Sequence, residues 1–205
     1  MKLTDLESDA LNELFNIGLH RAAASLSDLT GKRVLVDLPR LWVCSMDELK
    51  DRLLEVVSGD LATVHQFFGG SMAGDAVLLL EYEKAVMLAD LMTGGEVALG
   101  GRLDQSAREV ITEIGNIVLS SCMGAFGNVL KVAVSFSVPR IHIESLEGML
   151  RTVVIDSNQG IPYALVAATR FGLSELEISG YLIVVIGVKS LELVSQALTG
   201  RLAAP

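Results

Sequence analysis

Glu13, Asn16 and Pro39 recur as Glu113, Asn116 and Pro139, so one Glu-x2-Asn-x22-Pro pattern occurs twice, offset by 100 residues. For a chain of this composition the coincidence is expected at about half a percent over all offsets, which favours an internal repeat. The flanking residues agree. Leu3, Val34, Val36, Arg40 and Leu41 meet Leu103, Val134, Phe136, Arg140 and Ile141 at the same offset. Each half closes alike, in Ala-Asp-Leu-Met-Thr-Gly at 89–94 and Ser-Gln-Ala-Leu-Thr-Gly at 195–200, now offset by 106. About six residues have therefore been inserted after Pro139. The expected organisation is one domain over 1–205, built from repeat 1 (1–99) and repeat 2 (100–205) around a pseudo-two-fold axis.

A chain of 205 residues with 51% hydrophobic content can bury a full core. Its longest strongly apolar runs, such as Tyr181 to Val188, are strand-length, so no membrane span is expected. The amino terminus lacks the basic stretch and apolar core of a signal peptide, which predicts a cytoplasmic protein. A net charge of −9 argues against nucleic acid or an anionic membrane as partner. Cys44 and Cys122 have apolar neighbours and no ligand at metal spacing, and read as buried thiols.

Residues 4–29 read as an amphipathic helix, with Leu11, Leu14, Phe15, Gly18, Ala22, Leu26 and Leu29 on its inner side. Thr4 and Glu7 form its capping box and Gly31 its stop. The second copy runs from Asp104 to about Val129 and is more apolar. Strands are predicted at Arg33–Val43 and Val132–His142, each interrupted at an X-Pro step that implies an edge, an end or a bulge. Met46–Val57 has helical spacing, whereas Leu146–Asp156 is ambiguous because Arg-Thr-Val-Val-Ile favours a strand. Two hairpins follow, Ala62–Phe68 with Asp75–Tyr82 and Ala164–Phe171 with Ile178–Val188, and short helices at 84–92 and 189–198 close the halves. This order predicts an α+β fold, an antiparallel sheet with two long surface helices.

On the first long helix Asp9, Glu13, Asn16 and His20 fall within an arc of about 60° opposite the apolar face. Glu109, Glu113, Asn116 and Ser120 repeat the stripe on the second helix. A solvated face does not call for Asn, a poor helix former. Neither residue is a nucleophile, and the sequence contains no Ser-His-Asp constellation, P-loop or metal cluster. A side-chain amide, donor and acceptor at once, is suited to orienting a water for in-line attack on a phosphoryl group. His20 has Ser120 as its counterpart and reads as a surface residue, while His65 and His142 lie in strands with no evident paired ligand.

The doubled pattern Asp or Ser, x3, Glu, x2, Asn, x22, Pro resembles that of the CheC, CheX and FliY phosphatases of bacterial chemotaxis. Asp9, Glu13, Asn16 and Pro39 fit throughout, and the second copy departs only where Glu109 replaces Asp or Ser. That departure marks the second site as the weaker match. Two motifs with no appended domain look most like CheC. The resemblance implies an internally duplicated CheC-like domain that dephosphorylates the response regulator CheY. By it, Asn16 and Asn116 would hold the attacking water, and Glu13 and Glu113 would pair with a regulator Lys. Asp9, Glu109, Pro39 and Pro139 would be supporting residues. No intrinsic cofactor is implied, the regulator bringing its own Mg²⁺. The resemblance also raises two other roles, a non-catalytic adaptor like the middle domain of the switch protein FliM and a partner of the deamidase CheD.

Overall fold

A computed structural model describes residues 4–95, 101–153, 162–173, 176–198 and 200. The first half contains α1 (Asp5–Thr30), β1 (Val34–Ser45), α2 (Met46–Leu54), β2 (Leu61–Gly70), β3 (Gly74–Glu81) and α3 (Tyr82–Thr93). The second repeats the order with α4 (Gln105–Leu130), β4 (Val134–Phe136), β5 (Arg140–Glu144), α5 (Leu146–Thr152), β6 (Pro162–Leu173), β7 (Leu176–Gly187) and α6 (Val188–Leu198). Local chemistry sets the ends of the long helices. Thr4 and Glu7 cap α1 reciprocally, the Thr4 N–H donating to Glu7 Oε2 at 2.8 Å, and Gly31 leaves the helix at φ +66°. At α4 the Asp104 carboxylate accepts from Ala107 N at 2.9 Å.

The seven strands form one sheet in the order β1-β6-β7-β3-β2-β4, with β5 also paired to β2, and every pairing is antiparallel. The halves are interleaved, since β1 of the first half lies on β6 of the second while β4 and β5 lie on β2 of the first. Aligning the hairpins puts Leu61 with Ala164 and Leu78 with Leu182, offsets of 103 and 104. Leu78 also pairs with Leu182 in the sheet, so the pseudo-two-fold axis passes between β3 and β7 at that pair.

Both X-Pro steps are bulges on edge strands, where a residue without an N–H is tolerated. Leu38 and Pro39 together oppose Thr169, because the β1–β6 register slips between Asp37 and Arg40. Val138 and Pro139 oppose Gln66, since Phe136 pairs with Phe68 and Arg140 with His65. The inserted residues are dispersed. α2 and α5 still start 100 apart, the hairpin strands are 103 and 104 apart, and α3 and α6 start 106 apart.

α1 and α4 lie side by side on one face of the sheet, with α3 and α6 in the same apolar cluster. All eight residues that α1 buries have a buried counterpart 100 residues on in α4, from Leu11 and Ile111 to Leu26 and Phe126. The helices run antiparallel and meet closely at Gly18, where a Cβ would stand 2.6 Å from Cys122 Cα, and the Phe15 and Phe126 rings pack edge to face at 5.2 Å. The opposite sheet face is covered by α2 and α5 over a smaller cluster that includes Leu49, Leu53, Val77 and Ile183.

One expectation needs correction, and one ambiguous segment is resolved. Leu29, expected on the inner side, is 61% exposed in the last turn of α1. Leu146–Thr152 is helical despite its β-branched tail: Ser145 caps Gly148 N at 3.2 Å and the buried Leu146 and Met149 seat it on the sheet. Residues 154–156 of that segment lie outside the described residues. α4 has the length and apolarity of a membrane-crossing helix, as a mostly buried core helix can, and 56% of its most apolar stretch is buried. Its apolar side is turned onto α1 and the sheet, and Arg108, Glu109 and Glu113 are exposed.

Candidate functional site

The polar stripes stand outward on both long helices. Asp9, Glu13 and His20 are exposed on α1, as are Glu109 and Glu113 on α4, while Asn16, Asn116 and Ser120 are half-buried. Neither Glu13 nor Glu113 has a side-chain partner among the described residues, so both carboxylates face solvent as free acceptors. Glu109 accepts from Gln105 Nε2 at 3.1 Å. Because Gly18 faces Cys122, Asn16 stands level with residue 124 and Asn116 with residue 24. The two amides are thus about eight residues apart along the helix pair, roughly 12 Å.

The sheet supports them differently. At Gly115 a Cβ would stand 2.6 Å from Val64 Cγ1, so α4 presses its backbone against β2 just before Asn116. That approach brings Asn116 Oδ1 within 3.0 Å of Gln66 Nε2, which also donates to the Ser137 carbonyl at 3.3 Å. In α1 the position of Gly115 is Phe15, fully buried, and the strand residue in the place of Val64 is Ala167. The residue equivalent to Gln66 is Thr169, whose Oγ1 has no hydrogen-bond partner among the described residues. Asn16 makes no side-chain hydrogen bond among them either.

A groove of about 440 Å³ adjoins the α4 stripe between the end of α1, the end of α3 and the start of α4. Leu26, Leu29, Met92 and Val110 line it together with Glu109 and Glu113, which gives the second stripe an apolar neighbour.

Gln66 and Ser137 were missed by the reading of the sequence. A signal for Gln66 was available, since the equivalent positions 66 and 169 are polar in both halves. A second polar group was also missed, on the opposite sheet face. His65, taken to lack a paired ligand, is buried with Nδ1 3.2 Å from Asp75 Oδ2, while Nε2 lies 3.5 Å from Glu144 Oε1. Thr63 Oγ1 donates to Glu144 at 2.6 Å, and the His142 ring packs edge-on against His65 at 5.3 Å. Sheet register assembles these residues across as many as 81 positions of chain, which spacing alone does not reveal. The equivalent places in the other half hold Ala168, Ser179, Cys44, Val166 and Trp42, so this group has no duplicate.

Cys44 and Cys122 are free and buried as expected. Burial pushes the Cys44 thiol up to about 11 and the Cys122 thiol higher still, leaving both protonated at neutral pH.

No family model matches the chain. Among curated proteins it is 26% identical to the flagellar motor switch phosphatase FliY of Bacillus subtilis, over 69% of this chain but 36% of that protein, so the match spans about a third of that relative. It is 25% identical to the CheC1 protein of Halobacterium salinarum over 82% of this chain and 89% of the relative. With the CheY-P phosphatase CheC of Bacillus subtilis the identity is 21%, over 80% and 78%. Among solved structures, Thermotoga maritima FliY superposes with a TM-score of 0.78 at 22% identity, covering 98% of this chain and all of that one. The FliM middle domain from H. pylori gives 0.64 at 13% identity, covering 95% and 99%. The chain is thus similar in sequence to CheC-type chemotaxis phosphatases and shares the fold of FliY and of the FliM middle domain.

Proposed function

We propose that this protein hydrolyses the aspartyl phosphate of a phosphorylated CheY-type response regulator in the cytoplasm, at two sites centred on Asn16 and Asn116. The observation that carries the reading is the recurrence of one exposed Glu and one half-buried Asn, a turn apart, at equivalent places on two long helices. The names of the CheC and FliY relatives support it.

Each helix would lay its stripe into the regulator's active site. The Asn amide holds a water in line with the phosphorus. The water oxygen forms the new P–O bond as the bond to the aspartyl oxygen breaks, and the regulator recovers its carboxylate while inorganic phosphate leaves with both of the water's protons, which it shares with solvent according to pH. The Mg²⁺ that offsets the phosphoryl charge belongs to the regulator. Glu13 or Glu113, free at the surface, pairs with a regulator Lys and fixes the approach. Catalysis by placement alone is consistent with the chemistry, since phosphoryl transfer through a loose transition state asks mainly for alignment and charge compensation.

The adaptor reading has one observation in its favour, the full-length likeness in fold to FliM middle domains. The experiment that separates the two is phosphate release from a Mg²⁺-loaded phosphorylated receiver. Catalytic amounts of the parent should accelerate release over many turnovers, and Asn16→Ala with Asn116→Ala should abolish the acceleration while the protein still binds the receiver. A double variant as fast as the parent sinks the water-holding role. A parent that binds without accelerating release leaves the adaptor.

A further inference from the structure

In a regular antiparallel pair Phe67 and Ser137 would exchange two backbone hydrogen bonds. Only one of these is present. Ser137 N–H donates to the Phe67 carbonyl at 2.9 Å, but Phe67 N–H donates to the Ser137 hydroxyl at 3.0 Å. The side chain has taken the carbonyl's place. The Ser137 carbonyl, released at the bulge that contains Val138 and Pro139, accepts instead from Gln66 Nε2 at 3.3 Å.

That bond determines the orientation of two amides. A backbone carbonyl only accepts, so the end of Gln66 that faces it is the NH₂ group. The other N–H of that group lies against the Asn116 amide at 3.0 Å, and the atom receiving it must be the acceptor Oδ1. Asn116 Nδ2 is thereby turned away from Gln66. Gln66 is itself 2% exposed and set in the sheet, so the support is rigid. From these contacts we infer that Gln66 is a positioning residue for Asn116, holding its amide in one orientation through the Ser137 carbonyl that the Pro139 bulge sets free. The motif's proline, 23 residues beyond its asparagine, acquires a task in this arrangement.

The first half lacks the device. Thr169 occupies the equivalent place with its hydroxyl unpartnered, and Asn16 has no side-chain hydrogen bond among the described residues. The consequence for rate rests on the phosphatase reading: the second site has its amide set before the receiver arrives, whereas the first must stop its amide's rotation on binding. The orientation itself does not depend on that reading.

The test therefore has two arms. In the first, side-chain amide relaxation is measured by NMR in the parent, in Gln66→Met and in the isosteric Gln66→Glu, which cannot donate to Ser137 when ionised. The Asn116 amide should be more ordered than the Asn16 amide in the parent and should fall to the Asn16 level in a variant. Equal order in the parent overturns the inference even if no activity is found. In the second arm, receiver dephosphorylation is followed with one site disabled. With Asn16→Ala present, Gln66→Met should lower kcat about tenfold at constant KM, a modest misplacement penalty. With Asn116→Ala present, the same change should leave the rate alone. Loss in both backgrounds marks Gln66 as a general structural residue and overturns the inference, while absence of activity in the parent removes the phosphatase reading and leaves the first arm to decide. If Gln66→Met does not fold, Gln66→Glu serves in both arms.

Discussion

α1 and α4 have the same length and bury equivalent positions, yet they rest on the sheet through opposite choices of side chain. α1 has the buried Phe15 where the strand position matching Val64 is the small Ala167, whereas α4 has Gly115 against Val64. The first pair is the bulkier, and the fold is kept. What differs is how near the backbone comes to the strand, and hence whether a strand residue can reach the asparagine that follows. Duplication preserved the motif, while the packing beneath it gives the two copies different surroundings.

The largest expected effect comes from those two positions. Phe15→Ala should lower unfolding free energy by about 3–5 kcal/mol through the cavity it leaves. Gly115→Ala should cost about 1–2 kcal/mol, because the clash with the stiff Val64 side chain outweighs the gain in helix propensity. Urea unfolding measures both. A neutral or stabilising Gly115→Ala would show that α4 has room to stand off β2, and the contrast between the helices would lose its basis.

The next effect is on activity. Asn16→Ala should leave most of the turnover and Asn116→Ala only the smaller part, with residual rates summing to about the parent rate, as for sites without shared partners. This reverses the ranking that Glu109 suggested, because Glu109 is an exposed residue bonded to its neighbour Gln105 whereas Gln66 touches the asparagine itself. Steady-state phosphate release decides between the rankings. Elimination of all activity by either single change would mean that the two motifs form one site.

The smallest effect concerns affinity. Glu13→Lys and Glu113→Lys should each weaken receiver binding by a few-fold, about 0.2–1 kcal/mol, since both carboxylates are exposed and screened. The loss should shrink with added salt in titration calorimetry. Unchanged affinity in both variants would take the glutamates out of the interface.

Much of this was legible in the sequence. Periodicity and caps gave both long helices nearly to the residue, the X-Pro steps announced an edge, an end or a bulge, and the hairpins read from alternation and turn residues. These are local signals. Leu146–Thr152 stayed ambiguous because β-branched composition competes with a cap and two buried anchors that only the sheet supplies. The Gln66–Asn116 bond and the His65 group were out of reach for another reason: each joins strands or a helix far apart in the chain, through a register that no single segment encodes. Gln66 looked like one polar residue in a strand until the bulge opposite it was known.

The interleaving of the halves bears on biosynthesis. β1 ends at Ser45, but the strand it lies on begins at Pro162, more than a hundred residues later. At roughly 5–20 residues per second of translation, β1 must wait on the order of ten seconds for its partner to be made. Throughout that interval the nascent first half has an unpaired strand whose buried Val34, Val36 and Cys44 lack their cover. An early release of the chain would therefore yield an aggregation-prone fragment rather than a working half, even though the first motif is complete by Pro39.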